Sequence, residues 1–231
     1  ASANVVLTCH HTINISTGEI KNWRCFPDEP GREYTMEEVM GNWKNFDRSL
    51  TFHGITYRTE FYREHGVKLA ENVFYEDHEY ATYPCCVAHT ILPLGLFIYE
   101  YRIGDVSQSV SAENQLKRID HTKMVIVKML KNRVDITDQW ALEYCDKKIH
   151  LLLLSFMVTS MLCDPDSKKG VARVDQLMGY IAKKDRHVVE MTMSHYKILK
   201  LLNAAHVGLE GYNRMLNSKL YNKLRHNKSF D

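Results

Sequence analysis

The chain has 231 residues, 45% of them apolar and 25% charged, close to the averages of globular proteins. This composition excludes a disordered chain, a collagen-like chain and a disulfide miniprotein. A chain of this length holds one large domain or two small ones around a true hydrophobic core. The net charge of +2 hides an asymmetry. Residues 1–120 carry 11 Lys and Arg against 17 Asp and Glu, a net −6, and residues 121–231 carry 19 against 11, a net +8. Such a swing predicts two modules with different partners.

In chain order, Asn4–Thr8 reads as a buried strand that begins with no cap or leader, as if a preceding segment belonged to the fold. The N-terminus has no basic region and no signal-peptide apolar core. Residues 16–33, with Gly18, Pro27, Pro30 and Gly31, read as loop. Thr35-Met36-Glu37-Glu38 has the capping-box pattern and predicts a helix to about Asn45. Leu50–Tyr57 reads as a strand interrupted by Gly54. Arg58–His65 reads as a short helix with Gly66 at its C-cap. Val73-Phe74-Tyr75 is a short apolar run ending at Glu76-Asp77, where an acidic pair suits a helix start. Pro84 must kink that helix or begin a second turn. Leu96–Ile103 is aromatic and β-branched and reads as a strand closed by Gly104-Asp105.

From Ser111 onward the periodicity is helical, over residues 112–132, 136–163, 171–184 and 187–209, with a break at Asp164-Pro165-Asp166. In the third helix Val171, Val174, Leu177, Met178 and Ile181 share a face. The expected organisation is an α/β half over residues 1–110 and an all-helical region over residues 111–231. Leu151–Cys163 is the most apolar stretch but is shorter than the roughly 20 residues a membrane span needs, so it reads as a buried or interfacial helix. The six cysteines form no Cys-x-x-Cys and read as reduced thiols of a cytoplasmic protein.

The chemistry-bearing segment is Tyr75-Glu76-Asp77-His78-Glu79-Tyr80, followed by Tyr99-Glu100-Tyr101-Arg102 and then Gln108-Ser109-Val110-Ser111. A carboxylate at a strand-to-helix junction can take a proton from a hydroxyl nucleophile. An Asp at a helix start is, on its own, more often a cap. Tyr99 and Tyr101 share a strand face, where sheet packing accounts for at least one of them. Cys9, His10, His11 and Cys25 fit no structural zinc spacing. A divalent ion held by Glu76, Asp77 and His78 would make a metal-dependent hydrolase. No Gly-x-Ser-x-Gly elbow, P-loop or dinucleotide fingerprint is present, and no basic-aromatic platform for nucleic acid.

The ordered set His53-Gly54-Ile55-Thr56-Tyr57-Arg58, then Glu76-Asp77, then Tyr99-Glu100-Tyr101-Arg102, then Gln108-Ser109 resembles the acceptor-side half of the GT-A fold in bacterial family 2 glycosyltransferases. The resemblance covers about half the chain and implies a partial GT-A mixed sheet followed by a helical extension. It implies an inverting transfer from a nucleotide-sugar donor to a glycan or lipid-linked acceptor, in surface polysaccharide synthesis. Asp77 would be the base and Glu76 its support. His53, Arg58, His78, Tyr101, Arg102, Gln108 and Ser109 would bind substrate. Arg102 suits a donor diphosphate because its fork matches phosphate oxygens. The family's Asp-Gly-Ser turn and metal-holding Asp-x-Asp pair have no counterpart here. Asp164-Pro165-Asp166 has the letters but sits in a helix-breaking loop. The Mg or Mn ion of the intact enzyme would then belong to a donor half preceding Ala1, with no metal held by this chain.

The stretch Arg214–Lys228 carries five basic residues and no acid, with Met215, Leu216, Leu220, Tyr221 and Leu224 on one helical face. It reads as an interfacial helix for an anionic membrane surface, at the inner face of the plasma membrane, or as a frayed basic terminus. A sheet edge left open by a missing half would also favour self-association. The other class of function the sequence supports is a non-catalytic glycan- or protein-binding module.

Overall fold

The sheet is built around β1 (Val5–Asn14), both of whose edges are used. The computed structural model describes residues 3–24, 31–65, 68–105 and 111–218. One edge of β1 pairs in parallel with β4 (Ile91–Ile103) along most of its length. The other edge is shared by two short antiparallel strands, β3 (Ile55–Tyr57) against Val5–Leu7 and β2 (Ile20–Trp23) against His10–Ile13. The protein is therefore mixed α/β, with a four-stranded mixed sheet.

Several elements depart from the sequence expectation. β2 lies inside the stretch read as loop, and the strand read from Leu50 begins only at Ile55. Gly54 explains the second difference. A Cβ there would stand 2.5 Å from the Ser49 carbonyl oxygen and 2.8 Å from that of Thr8, because the chain turns tightly before β3 and runs against β1. The Thr8 N–H donates to the Gly54 carbonyl at 2.8 Å. The capping box at Thr35 forms as read, but its helix, α1 (Met36–Gly41), stops at Asn42 and a single turn, α2 (Trp43–Phe46), follows. α3 (Thr59–Glu64) follows β3 directly. Pro84 begins a second turn: α4 (Asp77–Tyr80) is followed by α5 (Tyr83–Cys86).

β4 is longer than the run Leu96–Ile103 and is irregular. Between Leu7/Pro93 and Cys9/Phe97 the register gains two residues on β4, and between Cys9/Phe97 and His10/Tyr99 it gains one more. Pro93 and Gly95, poor strand residues, fall at the first irregularity.

The described residues form two compact units: Ala1–Ser111 with Asp120–Leu152, and Ala112–Ile119 with Leu153–Asp231. By compactness, residues 120–152 thus go with the sheet. In the first unit, Leu7, Phe46, Phe61 and Ile91 are buried with Ile126 of α7 (Ile119–Arg133) and Ile149 of α8 (Gln139–Val158). The second unit contains α6 (Ala112–Lys117), a π-helical turn (Thr159–Cys163), α9 (Ser167–Ala182), α10 (Arg186–Ala204) and α11 (Leu209–Leu216). Asp166 caps α9 by accepting from the Lys169 N–H at 3.0 Å. Val174, Leu177, Met178 and Ile181 of α9 are buried, and so are Val188 and Leu199 of α10. The Asn203 side-chain amide donates to the Met161 carbonyl at 2.6 Å, satisfying a carbonyl of the π-turn. No helix among the described residues is long and apolar enough to cross a membrane. Of the basic stretch 214–228, residues 219–228 lie outside the described residues.

At Gly54 and Gly170 the space for a side chain is already filled by backbone. A Cβ on Gly170 would lie 2.0 Å from the Ser160 carbonyl oxygen. Gly54→Ala and Gly170→Ala should each lower the unfolding free energy by about 1–3 kcal/mol or more, the usual cost of overpacking. Gly179→Ala, where a Cβ meets nothing within 4 Å, should not. Urea denaturation of the three variants checks this.

Candidate active site

Asp77 sits at the first position of α4, and the chain reaches it through strained backbone. Tyr75 has φ +74°, a left-handed conformation that a bulky aromatic residue adopts only when its surroundings enforce it. Glu76 occupies the N-cap position and makes no side-chain capping bond. A four-residue helix cannot hold itself, and three neighbouring hydroxyls secure its C-terminal carbonyls. Thr82 donates to the His78 carbonyl at 2.6 Å, Tyr57 to that of Tyr80 at 2.7 Å, and Tyr144 to that of Ala81 at 2.5 Å.

The Asp77 side chain is half-buried, and burial raises its carboxyl above the ordinary Asp value. The N–H groups of Asp77 and His78, and the charge of Lys148, pull the other way. His78 is pushed down to about 4, first by burial and then by Lys148. Glu79, the next acid, does different work. It is fully buried and paired with Lys128 at 2.7 Å, and it accepts the Ala70 N–H at 3.1 Å. Its Oε1 has no partner and lies by a cavity of about 10 Å³ lined by Thr82, Asn132 and Cys145, among others, about the size of one water molecule.

An aromatic wall stands beside Asp77. His53 lies 4.4 Å from Tyr101, 5.1 Å from Tyr99 and 3.8 Å from Phe52, ring centre to ring centre, and stacks on His10 at 5.0 Å. Burial raises the Tyr101 phenol, and Tyr99 and then Asp77 add to the shift. The bulge in β4 makes this wall. In a regular strand Phe97 and Tyr99 would share a face. The extra residue puts Phe97 on His11, at 4.2 Å, while Tyr99 and Tyr101 meet His53 on the His10 face. Both histidines are held neutral. Burial and then His10 push His53 down to about 4, and burial lowers His10, with His11 second. Trp23 closes one end, donating its indole N–H to the Thr12 hydroxyl at 2.7 Å, with the Arg48 guanidinium 4.9 Å from its ring centre.

The sequence-expected residues therefore divide. His53, Asp77, His78 and Tyr101 gather in the first unit, with Glu76 one residue away. Arg58 is exposed at the head of α3, and Arg102 is exposed on the face of β4 opposite Tyr101. Gln108 and Ser109 lie outside the described residues. His10, Phe52, Tyr99 and Lys148 belong to the cluster without having been chosen. For His10 the alternation of β1 carried a signal, since it faces away from Cys9 and His11. For Lys148 there was none, because a lysine inside a helix reads as surface.

Among the described residues no group of three or more His, Cys, Asp or Glu could hold a metal ion. The divalent ion implied by the family resemblance finds no fitting ligand set among these residues. No protein-family model, curated protein or solved structure matches the chain.

The neutral imidazoles give the fold a pH dependence. Unfolded histidine titrates near 6.5, so between pH 6.5 and about 4 the unfolded chain binds protons that folded His53 and His78 refuse, and stability falls with pH. The loss is at most about 3 kcal/mol per histidine, and smaller for His53, which solvent reaches. The raised carboxyl of Asp77 works with the opposite sign, so the histidine contribution must be read by difference. Urea titrations at pH 7.0 and 5.0 should show a smaller acid loss in His78→Gln than in the parent protein.

Proposed function

We propose that this chain is the acceptor-side part of an inverting glycosyltransferase with a GT-A-type α/β domain, and that Asp77 is its general base. The observation that supports this most is that His53 packs on Tyr101, whose phenol also feels the charge of Asp77, so that residues from three separate segments whose order in the sequence carried the resemblance lie near one another. In the proposed reaction the Asp77 carboxylate takes the proton of an acceptor hydroxyl. That oxygen attacks the anomeric carbon of a nucleotide-sugar from the face opposite the leaving diphosphate, and the carbon–oxygen bond to the diphosphate breaks. Burial raises the basicity of Asp77 toward that of a useful base, and the amides at the start of α4 with Lys148 keep it from being lost to protonation. The rings of His53, Tyr99 and Tyr101 offer apolar faces against which a sugar ring can lie. Nucleotide-sugar binding, and any divalent ion, are assigned to a donor half. The basic stretch 214–228 is assigned to an anionic membrane surface near a lipid-linked acceptor.

The second reading is a binding module for glycans, favoured by the same aromatic wall, which needs no base to hold a sugar. Asp77→Asn separates the two. In the transferase together with its donor half, the variant should lose roughly 10²–10⁴-fold in turnover, the usual contribution of a general base, while its circular dichroism spectrum stays that of the folded parent protein. Near-normal turnover would remove Asp77 from this role. Oligosaccharide binding that survives in the variant, with no transfer from any nucleotide-sugar in the parent protein, would favour the binding module.

A further inference from the structure

β4 is an edge strand. Its inner side pairs with β1 as far as Asn14 and Ile103. Among the described residues its outer side carries one bridge, at its first residue, Ile91 to Tyr34. An open edge offers backbone donors and acceptors to any strand that meets it, and proteins blunt such edges with proline, bulges or charge. The first part of β4 is blunted in this way, by Pro93 and by the irregular register that ends at Tyr99. Residues 99–103 are regular, and Tyr99, Glu100 and Arg102 are exposed.

The register shows which backbone groups face outward. The Ile15 N–H donates to the Ile103 carbonyl at 2.8 Å, so Ile103 turns its backbone groups toward β1. These directions alternate along a strand, so Tyr101 does the same, while Glu100 and Arg102 turn theirs to the open side. The side chains of Glu100 and Arg102 share a face with those of His11 and Ile13, opposite Tyr101.

A second copy of this strand, antiparallel about a two-fold axis at Tyr101, sets Glu100 against the partner's Arg102 and Arg102 against the partner's Glu100. Both are positions that exchange backbone N–H···O bonds. Both place opposite charges on directly facing side chains, which favours the pair, whereas like charges oppose it. An axis moved to Glu100 or to Arg102 would set that residue against its own copy, like charge on like charge. The register uses the charge of Arg102 and not an unengaged guanidinium, since its five N–H donors can serve more than one acceptor.

We propose that residues 99–103 of β4 are the surface through which two copies of this chain join, by antiparallel pairing centred on Tyr101 with reciprocal Glu100–Arg102 contacts. The pairing makes one sheet of two. It brings the two Tyr101 side chains together at the axis, on the face that carries the His53 wall, so each candidate site gains an aromatic neighbour from the other copy. The inference is independent of the reading of Asp77 as a base.

Sedimentation velocity over a rising concentration series tests it. The parent protein should pass from monomer to dimer. Glu100→Arg and Arg102→Glu each create two like-charged pairs across the axis and should each weaken the dimer about tenfold or more. The double variant, Glu100→Arg with Arg102→Glu, restores opposite charges in exchanged order and should dimerise as the parent does. Both positions are exposed, so circular dichroism should report the parent fold in all three variants. A parent protein that stays monomeric throughout overturns the proposal. So does a dimer that either single variant leaves at parental strength, or that the double variant fails to restore.

Discussion

The site depends on carbonyl groups that α4 cannot satisfy by itself. A helix of one turn has no interior, so nearly all its C=O groups need partners from outside. A buried carbonyl left without one costs about 1–3 kcal/mol. Here the partners are three hydroxyls from three places: Thr82 from the turn itself, Tyr57 from β3 and Tyr144 from α8. Tyr57 and Tyr144 are deeply buried, and burial raises both phenols well above their ordinary value. They therefore stay protonated and keep donating at any physiological pH. That permanence lets a strained residue, Tyr75, stand immediately before Glu76 and Asp77 without the turn unwinding.

The sheet contributes the opposite side of the site through irregularity. Regular alternation along β4 would give one aromatic face. Bulges, which re-aim side chains, divide the aromatic residues instead, with Phe97 going to His11 and Tyr99 and Tyr101 to His53. Gly54 does the matching work on β3, because only a residue without Cβ lets the His53 turn press against Ser49 and Thr8. The aromatic wall is thus the product of a bulge on one strand and a missing Cβ beside another.

These same features mark where sequence reasoning reached and where it stopped. A short apolar run marked the start of β1, aromatic and β-branched composition the later part of β4, and the capping box at Thr35 the start of α1, because all three signals are local. Gly54 was legible as an interruption of a strand pattern, but the reason was tertiary. β2 was missed because Ile20–Trp23 is short and mostly exposed, with no buried face to impose a pattern. Asp77 was legible from its place at a helix start. The roles of its neighbours were less so: Glu79 reads like Glu76 in sequence, yet it is the one buried against Lys128. Arg102 reads as part of the site because it adjoins Tyr101, although neighbours on a strand face opposite ways.

Charge is what finally distinguishes the cluster from ordinary packing. A site that holds Asp77, Lys148 and the imidazoles of His10, His53 and His78 stays close to neutral only if all three imidazoles are uncharged. Burial is the main force against protonating His53 and His78, and a second charge adds to it, Lys148 at His78 and a protonated His10 at His53. Removing the ammonium would leave the half-buried Asp77 carboxylate without a positive charge that favours its ionised form, while desolvation favours the neutral one. Removing the carboxylate would leave an ammonium whose neutral form desolvation favours in the same way. The imidazoles stay neutral chiefly because burial penalises their charged forms.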